Sequence, residues 1–396
     1  MLQRLIHSAR VNVFESSRFY YWVLLTVVGY SILNQSTRKF LWVLFDKEYP
    51  PNPAGVIIYS LTGAALIISF LMLLKVIRKD LIYYMGILAF VILIQSLIFT
   101  TTFDWWSFSD FFINNNGFYL LKYLFPFLFL SVWVGLNKSE RYGFSFFFYL
   151  KKLLVFNACL IYIGAVFSLS LFESYPLSGR WGYSGILWSG GMNNIMYAIC
   201  LIHHWSTIKK LDWEFFVLSS SLLLMGQKSA LLYLLLIIIF VVNKRVIIKK
   251  IFLATILLLI VNFNRIISFV SSFDSFWNSV YEKHGALGVF LSLRNENIEK
   301  ILSQHFTNDT LIPKFLFGGL ATFPERVEMY PVDVFFYFGA IGLIATIIFY
   351  VKWISKFKYA IPVVVASFGG QLYDIIPAML IFFVWSRICG YEKIKS

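Results

Sequence analysis

The amino-acid sequence predicts an all-α polytopic membrane protein, because its composition is strongly apolar and long apolar segments recur along the chain. Of the 396 residues, 59% are hydrophobic and 14% are charged, whereas soluble domains contain about 45–50% apolar and about 25% charged residues. The mean hydropathy is +0.74. This composition excludes a soluble globular enzyme and a disordered chain. The 20% of aromatic residues suits helices that face lipid and its interfaces.

About twelve segments are apolar enough to be transmembrane helices, since a bilayer core of about 30 Å requires about 20 helical residues. Segments 213–226, 229–243 and 359–371 are short, so they need their flanking residues or neighbouring helices to cross. Together the segments predict one transmembrane domain over 1–396. In chain order they are 19–34, 54–74, 81–100, 118–136, 152–172, 186–205, 213–226, 229–243, 247–263, 332–351, 359–371 and 375–391.

The distribution of basic residues predicts the orientation, because loops rich in Lys and Arg stay in the cytoplasm. With both termini inside, 22 of the 34 basic residues and 6 of the 20 acidic residues lie on the cytoplasmic side. The net charges are then +16 inside and −2 outside. The overall charge of +14 therefore indicates membrane topology, and no nucleic-acid partner is expected.

One large outer loop, 264–331, separates the first nine apolar segments from the last three. It is too small to be an independent domain but large enough to cap a cavity. The cytoplasmic loops are short and lack a Gly-rich phosphate loop. Cys159, Cys200 and Cys389 lie in apolar segments without metal-type spacing. Neither a metal ion nor a cofactor is therefore expected.

Two motifs on the outer side place cations next to glycines. In Tyr-Pro-Leu-Ser-Gly-Arg-Trp-Gly-Tyr-Ser-Gly (175–185), Arg180 lies in a turn where backbone N–H groups and a bidentate guanidinium suit an anion. Lys228 lies at the tip between two short apolar segments, and because these segments are short the tip is expected to lie below the outer membrane surface. A buried, hydrated cation there suits a phosphate. In each case the alternative is a cation that snorkels to lipid headgroups. Asn193 and Asn194 lie within the membrane, where their amides need polar partners or a wet cavity.

The outer loop contains an amphipathic helix that begins near Arg294. At 100° per residue, Ile298 and Ile301 share the face of Arg294, so the guanidinium is expected to face the protein or the membrane. An arginine that lies flat at the headgroups is the alternative. His305 lies on the same face of this helix, and a structural role is favoured for it over a role in the site.

Segment 317–333 gathers acidic residues at the outer membrane surface. Glu325, Glu328 and Asp333 lie near Arg326, and a carboxylate beside arginines can act as a general base. Glu328 lies in the loop and is the expected base. Asp333 begins the apolar helix and is expected to cap it or to position the loop. A solvated, acid-rich loop end is the alternative.

The order of these motifs resembles the bacterial O-antigen polymerase family, the Wzy-type polymerases, which are related to O-antigen ligases. Arg180, the following glycines and Asn193-Asn194 look like one part of the family pattern. Gly-Gln-Lys-Ser-Ala around Lys228 is similar to the family's small-Ser-Arg-small turn, and Arg294 matches the arginine of its outer-loop helix. The sequence departs from the family pattern at two places. Lys228 replaces the usual arginine at the hairpin tip, and Asn193-Asn194 replaces the usual Pro-Asn.

The C-terminal part of the resemblance is the most specific. Leu-Phe-Gly-Gly (316–319), the pair Glu328 and Asp333, and the pair Gly339 and Gly342 resemble the family's Phe-Gly-x-Gly, acidic pair and Gly-x-x-Gly helix. The similarity covers residues 176–345, and the first 170 residues match in topology only.

This resemblance implies a metal-independent glycosyltransferase of the GT-C type. Such an enzyme joins undecaprenyl-diphosphate-linked oligosaccharides, as donor and as acceptor, on the outer face of the bacterial inner membrane, in some cases with a chain-length regulator protein. The cations Arg180, Lys228, Arg294 and Arg326 would bind the diphosphate leaving group. Asn193, Asn194 and His305 would position the substrate.

Three alternative functions share part of this evidence. An O-antigen ligase uses the same leaving group, although a short outer acceptor loop and the Glu328–Asp333 pair favour a polymerase. A polyprenyl-phosphate-sugar transferase would place its base in the first outer loop, at Asp46 or Glu48. A lipid-linked oligosaccharide flippase would show mid-helix charges and repeated halves, and neither is evident in the sequence.

Overall fold

The computed structural model describes residues 2–45, 53–74, 77–99, 117–136, 139–176, 181–187, 191–242, 246–272, 275–306, 311–319, 327–354, 357–369 and 376–391. Across these residues the secondary structure is helical, and the β-type contact is an isolated antiparallel bridge between Glu173 and Tyr183. The prediction of an all-α protein is confirmed.

Sixteen α-helices lie within the described ranges. They are α1 (Leu2–Phe45), α2 (Pro53–Leu73), α3 (Lys79–Phe99), α4 (Gly117–Gly135), α5 (Ser139–Phe167), α6 (Gly191–Ile208), α7 (Trp213–Leu224), α8 (Lys228–Ile237), α9 (Val246–Val261), α10 (Phe263–Ser271), α11 (Ser275–Leu291), α12 (Arg294–His305), α13 (Leu311–Phe317), α14 (Tyr330–Trp353), α15 (Phe357–Gly369) and α16 (Ile376–Tyr391). Each of the twelve predicted apolar segments overlaps one of α1–α9 or α14–α16.

Several helices have the length and composition of membrane helices. By length and composition alone, three of the described helices could cross a bilayer, namely Lys79–Ile98, Ser139–Phe167 and Tyr330–Trp353, and shorter apolar helices accompany them. Large apolar side chains along α9, such as Ile251 and Val261, are more than half exposed. Such surfaces are unfavourable in water and suit lipid. These features support a membrane protein, while the count of twelve spans stays a prediction.

The last helix, α16, forms the centre of the bundle. Its side chains from Ile376 to Trp385 are almost completely buried wherever they are apolar. It contacts α1, α4, α5 and α6, so an apolar helix at the end of the chain is enclosed by helices from the first half. The first and the last described helices therefore belong to one packed bundle.

Helix α14, which covers the apolar segment predicted for 332–351, is interrupted near its middle. Gly339 has left-handed backbone angles (φ 65°, ψ −170°) that interrupt the helix. The hydroxyl groups of Tyr330 and Tyr350 are 2.9 Å apart, whereas a continuous helix would separate these residues by about 30 Å. Tyr123 hydrogen-bonds the hydroxyl of Tyr330 at 3.0 Å. The apolar segment predicted for 332–351 is therefore helical but not one continuous helix, because the chain folds back at Gly339.

The segment predicted as the outer loop, 264–331, is itself helical and contains α10–α13. The amphipathic pattern predicted from Arg294 is confirmed by α12. Ile301 is buried and Ile298 packs against the core, whereas Glu299 and Lys300 are exposed. Hydrophobic periodicity thus orients α12 with the face of Arg294 toward the protein.

Candidate anion and acid–base site

The tip of the α7–α8 hairpin packs directly on the segment that follows Arg180. The Tyr183 N–H donates to the Leu224 carbonyl at 2.7 Å. Gly226 has a φ of 66°, and a Cβ there would lie 2.2 Å from the Trp181 carbonyl oxygen. Only glycine fits such a close approach. Two glycine-containing motifs that are 45 residues apart in sequence are therefore in contact at Gly226.

Lys228, at the first position of α8, turns toward α11 and the residues that follow it. Its ammonium donates to the Val289 carbonyl at 2.6 Å and to the Ser292 hydroxyl at 3.1 Å. The nitrogen also lies 3.7 Å from the centre of the Trp277 ring, within range of a cation–π interaction. The lysine thus joins the hairpin tip to the α11–α12 junction instead of extending to lipid headgroups.

Arg294 begins α12 on the other side of the same junction. Its guanidinium donates to the Leu291 carbonyl at 3.1 Å and to the Glu328 carboxylate at 3.1 Å. The side chains are 18% and 33% exposed, so the ion pair is partly shielded from water. The predicted cation and the predicted base are therefore direct partners.

Left-handed backbone conformations occur on both sides of this ion pair. Ser292 and Leu293 have φ values of 54° and 66°, and Glu328 has a φ of 63°. Residues other than glycine seldom adopt this region, and such residues concentrate at functional sites. The surrounding structure therefore holds the backbone of Glu328, whose carboxylate accepts from Arg294, in an unfavourable local conformation.

Asp333 holds the short loop that carries Glu328. The Val327 N–H donates to its carboxylate at 2.7 Å, and the Asp333 side chain is fully buried. The helix begins at Tyr330, and its N-cap residue, Met329, makes no side-chain capping bond. The prediction of Asp333 as a helix cap is therefore wrong, because its carboxylate reaches back to the loop. Its alternative role as a positioning residue agrees with this bond.

The paired asparagines at the start of α6 occupy different environments. The Asn194 amide donates to Gln227 at 2.5 Å and to Ser229 at 2.7 Å, so it holds the residues on either side of Lys228. Asn193 is buried, and neither polar atom of its side chain has a hydrogen-bond partner among the described residues. Asn194 therefore supports the hairpin tip, whereas Asn193 retains an unused amide.

Three predicted site residues cannot be placed with the others. Arg180 and Arg326 lie outside the described residues, as does the side chain of His305, which ends α12. The residues that follow the two arginines are described. The Trp181 carbonyl lies against Gly226, and the Val327 N–H donates to Asp333.

Two polar residues that sequence reasoning missed support this region. The Gln95 amide of α3 donates to the carbonyls of Phe317 and Tyr337 at 2.5 and 2.6 Å, which holds α13 against the first half of α14. Lys39 of α1 is buried and donates to Ser184 and to the Gly185 carbonyl. For Gln95, a polar residue inside an otherwise apolar helix was the available signal. Lys39 follows a polar stretch of α1, Asn34 to Arg38, and had no comparable signal.

A separate cluster lies near the far end of α6, about 15 Å along the helix from Asn194. His204, Asp212 and Glu214 form a group that could hold a metal ion. The His204 ring lies 2.8 Å from the Asp212 carboxylate, and Lys151 pairs with Glu214 at 2.5 Å. Burial raises the pKa of Asp212, but the Phe215 N–H and His204 outweigh it and hold that pKa below its usual value. The lysine makes this cluster an ion-pair network that joins α5, α6 and α7.

Comparisons with known proteins identify no family for this chain. No protein-family model matches it, and neither a curated protein nor a solved structure is significantly similar to it.

Proposed function

We propose that this chain is a glycosyltransferase that polymerises polyprenyl-diphosphate-linked oligosaccharide repeat units into O-antigen or capsular polysaccharide. The observation that carries the proposal is the meeting of Lys228, Arg294 and Glu328 at the α11–α12 junction. These residues come from three distant parts of the chain, and all three belong to motifs of the resemblance. A cation pair beside a carboxylate suits an anionic leaving group and a hydroxyl nucleophile.

The cations would stabilise the diphosphate as it leaves. In a partly dry site, charge-assisted hydrogen bonds to developing negative charge are strong. Lys228 and Arg294 supply two such donors, and Arg180 and Arg326 would add two more. In this proposal the phosphate oxygens replace the carbonyl and carboxylate groups that the two described cations now contact.

The Arg294–Glu328 ion pair would act as a resting state. When a diphosphate takes the guanidinium, Glu328 loses its partner and becomes available to the acceptor hydroxyl. Glu328 would then take the hydroxyl proton while the acceptor oxygen bonds to the donor's anomeric carbon. The bond from that carbon to the phosphate oxygen breaks, and the lipid diphosphate leaves with the electron pair. A single displacement of this kind inverts the anomeric carbon.

The proposal includes a location and an architecture. The chain would be a GT-C-type protein of about twelve spans in the bacterial inner membrane, with both termini in the cytoplasm. The donor and acceptor would be undecaprenyl-diphosphate-linked oligosaccharides on the outer face, and a chain-length regulator protein is a compatible partner. The basic bias and the apolar helices support this arrangement.

Deletion of the gene tests the polymerase assignment in cells. We expect surface glycan with a single repeat unit in place of long chains, because transfer to the final acceptor continues without polymerisation. Restoration by the plasmid-borne gene is the control. If long polymer persists on the lipid carrier and none reaches the surface, the chain is a ligase and the polymerase assignment is wrong.

A further inference from the structure

Five buried hydroxyl groups form a connected chain inside the bundle, and none of them belongs to the predicted site residues. Each of the five side chains is 7% exposed or less. Consecutive hydroxyl oxygens are separated by 3.0, 3.3, 3.0 and 2.9 Å. This hydroxyl chain consists, in order, of Thr346, Tyr84, Tyr123, Tyr330 and Tyr350. Phenylalanine would fill nearly the same space as each tyrosine without a polar atom that must be paired, so the hydroxyl groups indicate a specific requirement.

The direction of the hydrogen bonds along the hydroxyl chain is fixed, because each hydroxyl group has one proton. Thr346 donates its proton to the Gly342 carbonyl at 2.7 Å, so Tyr84 is the donor in the bond between Tyr84 and Thr346. The same argument makes the next donors, in order, Tyr123, Tyr330 and Tyr350. Every proton in the chain therefore has an acceptor, and a fully paired network of this kind favours one arrangement of the helices that supply it.

The hydroxyl chain joins α3 and α4 to both halves of α14. Tyr84 lies on α3 and Tyr123 on α4, whereas Tyr330 begins α14 and Tyr350 lies near its end. Because α14 is interrupted at Gly339, no continuous helix relates its two halves. The hydroxyl of Tyr330 supplies this relation, since it bonds to α4 through Tyr123 and to the second half of α14 through Tyr350.

Helix α3 holds the first half of α14 at both ends. Gln95 donates to the Tyr337 carbonyl at 2.6 Å, and Tyr84 connects to Tyr330 through the hydroxyl of Tyr123. Gln95 and Tyr84 are 11 residues apart in α3, which corresponds to about 16 Å along the helix axis. The segment from Tyr330 to Tyr337 rises about 10 Å, and the tyrosine side chains cover the remaining distance. The first half of α14 is thus fixed along α3.

The loop that carries Glu328 leads directly into this fixed segment. Glu328 lies two residues before Tyr330, so their Cα atoms are at most about 7–8 Å apart. The Asp333 N–H donates to the Met329 carbonyl at 2.9 Å, and the Asp333 carboxylate accepts from the Val327 N–H at 2.7 Å. Both neighbours of Glu328 are therefore bonded to the first half of α14, and a shift of that half moves the carboxylate relative to its partner on α12.

We propose that the hydroxyl chain sets the position of the Glu328 carboxylate relative to the cations of the site, and that Tyr123 and Tyr330 are positioning residues for the transfer reaction. This inference rests on the proposed function for the chemistry that Glu328 performs. The two tyrosines act through the backbone of α14, and no contact with the substrate is assigned to them.

Steady-state kinetics of the purified full-length protein in nanodiscs tests this role. The substrate is a synthetic undecaprenyl-diphosphate-linked repeat unit, and the release of lipid diphosphate is measured. Tyr123→Phe takes away the acceptor of the Tyr330 proton, and we expect kcat to fall by about ten- to a hundredfold, because small displacements of a catalytic group have effects of this size. KM should stay within about twofold of wild type, because the cations that bind the diphosphate are unchanged. Tyr330→Phe should behave in the same way.

Two other buried tyrosines provide matched controls. Tyr350→Phe removes the first donor of the hydroxyl chain and leaves no proton without an acceptor, so kcat should fall by less than about threefold. Tyr233→Phe removes a buried hydrogen bond outside the chain, to the Pro362 carbonyl, and kcat should stay within about twofold of wild type. A loss in either control as large as that in Tyr123→Phe would overturn the proposal, because kcat would then follow the packing of buried tyrosines in general.

Hydrogen exchange measured by mass spectrometry follows the same segment without any substrate. The loss of one buried hydrogen bond should accelerate exchange of the backbone amides of 327–333 by about tenfold in Tyr123→Phe and Tyr330→Phe. The amides of α16 should exchange at the wild-type rate in both variants. Thr346→Val removes the acceptor of the Tyr84 proton at the other end of the chain, which keeps the test valid if a tyrosine variant does not fold. Unchanged exchange and unchanged kcat in the folded variants would overturn the proposal.

The two measurements together separate this proposal from the proposed function. Faster exchange at 327–333 with wild-type kcat would overturn the positioning role, because the hydroxyl chain would then serve only the fold. A fall in kcat without faster exchange would also overturn it, since the effect would then arise elsewhere in the protein. If wild-type protein releases no lipid diphosphate, the polymerase assignment is wrong and the positioning of a catalytic base fails with it, whereas faster exchange in the variants would still confirm that the hydroxyl chain fixes 327–333.

Discussion

At the scale of single residues, the ion pair between Arg294 and Glu328 is the centre of the candidate site. The sequence predicted both residues as functional but treated them as separate, because spacing alone cannot bring position 294 to position 328. The fold adds the contact of 3.1 Å and the left-handed backbone at Glu328. The pairing changes the chemical expectation, since under the proposed function a cation would hold the base until the substrate arrives.

Replacement of the base should separate binding from catalysis. Glu328→Gln keeps the shape of the side chain and removes its basicity, so we expect no polymer while membranes still bind the lipid-linked repeat. Glu328→Gly, which relieves the left-handed strain, should also be inactive although stable. Polymer is measured by gel electrophoresis of surface glycan in a deletion strain. Wild-type polymer from Glu328→Gln would show that the base lies elsewhere, with Asp46 or Glu48 as the next candidates.

Arg294 should not tolerate lysine. Its guanidinium spans the Leu291 carbonyl and the Glu328 carboxylate, a geometry that one ammonium cannot reproduce. We expect both Arg294→Lys and Arg294→Ala to lose about 10²–10³ in transfer rate. Lys228→Arg is the matched control and should stay active, because a guanidinium can also stack on Trp277. If Arg294→Lys transfers at the wild-type rate and the protein is as abundant as wild type, Arg294 only anchors α12 at the membrane surface and does not bind the leaving group.

At the scale of elements, broken helices and short loops carry the site. Periodicity predicted that α12 and the hairpin of α7 and α8 would form and which face of α12 would be buried. It could not predict the reversal of α14 at Gly339, since a glycine within an apolar run is compatible with a straight helix. Nor could it choose between the two roles predicted for Asp333, because a first-turn acid has the same sequence signature whether it caps the helix or reaches back to Val327.

Asp333 should matter for loop position more than for chemistry. Asp333→Asn retains an oxygen that can accept the Val327 N–H, so partial polymer synthesis is expected. Asp333→Ala leaves that buried N–H unsatisfied, which costs about 1–3 kcal/mol, and should lower both the melting temperature and the activity. Thermal unfolding in detergent and glycan analysis provide the two measurements. Full loss in Asp333→Asn with unchanged melting temperature would instead make this residue the base.

The reversal of α14 should depend on glycine at position 339. A Cβ there would lie 2.2 Å from the Leu316 carbonyl oxygen, and alanine at left-handed φ costs about 1–2 kcal/mol even before this clash. We expect Gly339→Ala to lower stability by more than about 2 kcal/mol. Gly86→Ala in α3, where a Cβ meets nothing within 4 Å, is the control and should be neutral or stabilising. Equal melting temperatures for the two variants would contradict the bent conformation.

At the scale of the whole molecule, composition was the strongest predictor. The apolar fraction and the recurrence of apolar segments predicted an all-helical chain, and each predicted segment overlaps a helix. The contacts between distant segments, such as Lys39 with Ser184 and Gln95 with Phe317, required the fold, because they depend on which helices are neighbours. Sequence patterns show which helices form and which face of each is buried. Which helices become neighbours depends on the packing of the whole chain.

Topology can be tested by labelling single cysteines in a cysteine-free background. Ser303 is exposed on α12, and Lys210 is exposed in the link between α6 and α7. The basic bias predicts that Ser303→Cys reacts with an impermeant maleimide in intact cells and that Lys210→Cys reacts only after permeabilisation. The opposite pattern would put the candidate site on the cytoplasmic side, where the outer-face donor and acceptor would not reach it.

Reconstitution with a defined donor tests the central claim most directly. Purified protein in nanodiscs receives a synthetic undecaprenyl-diphosphate-linked repeat unit as the sole substrate, without nucleotide sugar and with a chelator present. We predict a ladder of products that grow by one repeat and release one lipid diphosphate for each bond formed, with no ladder from Glu328→Gln. Bound substrate without any product from wild-type protein, under conditions where the protein stays folded, would contradict the assignment as a polymerase.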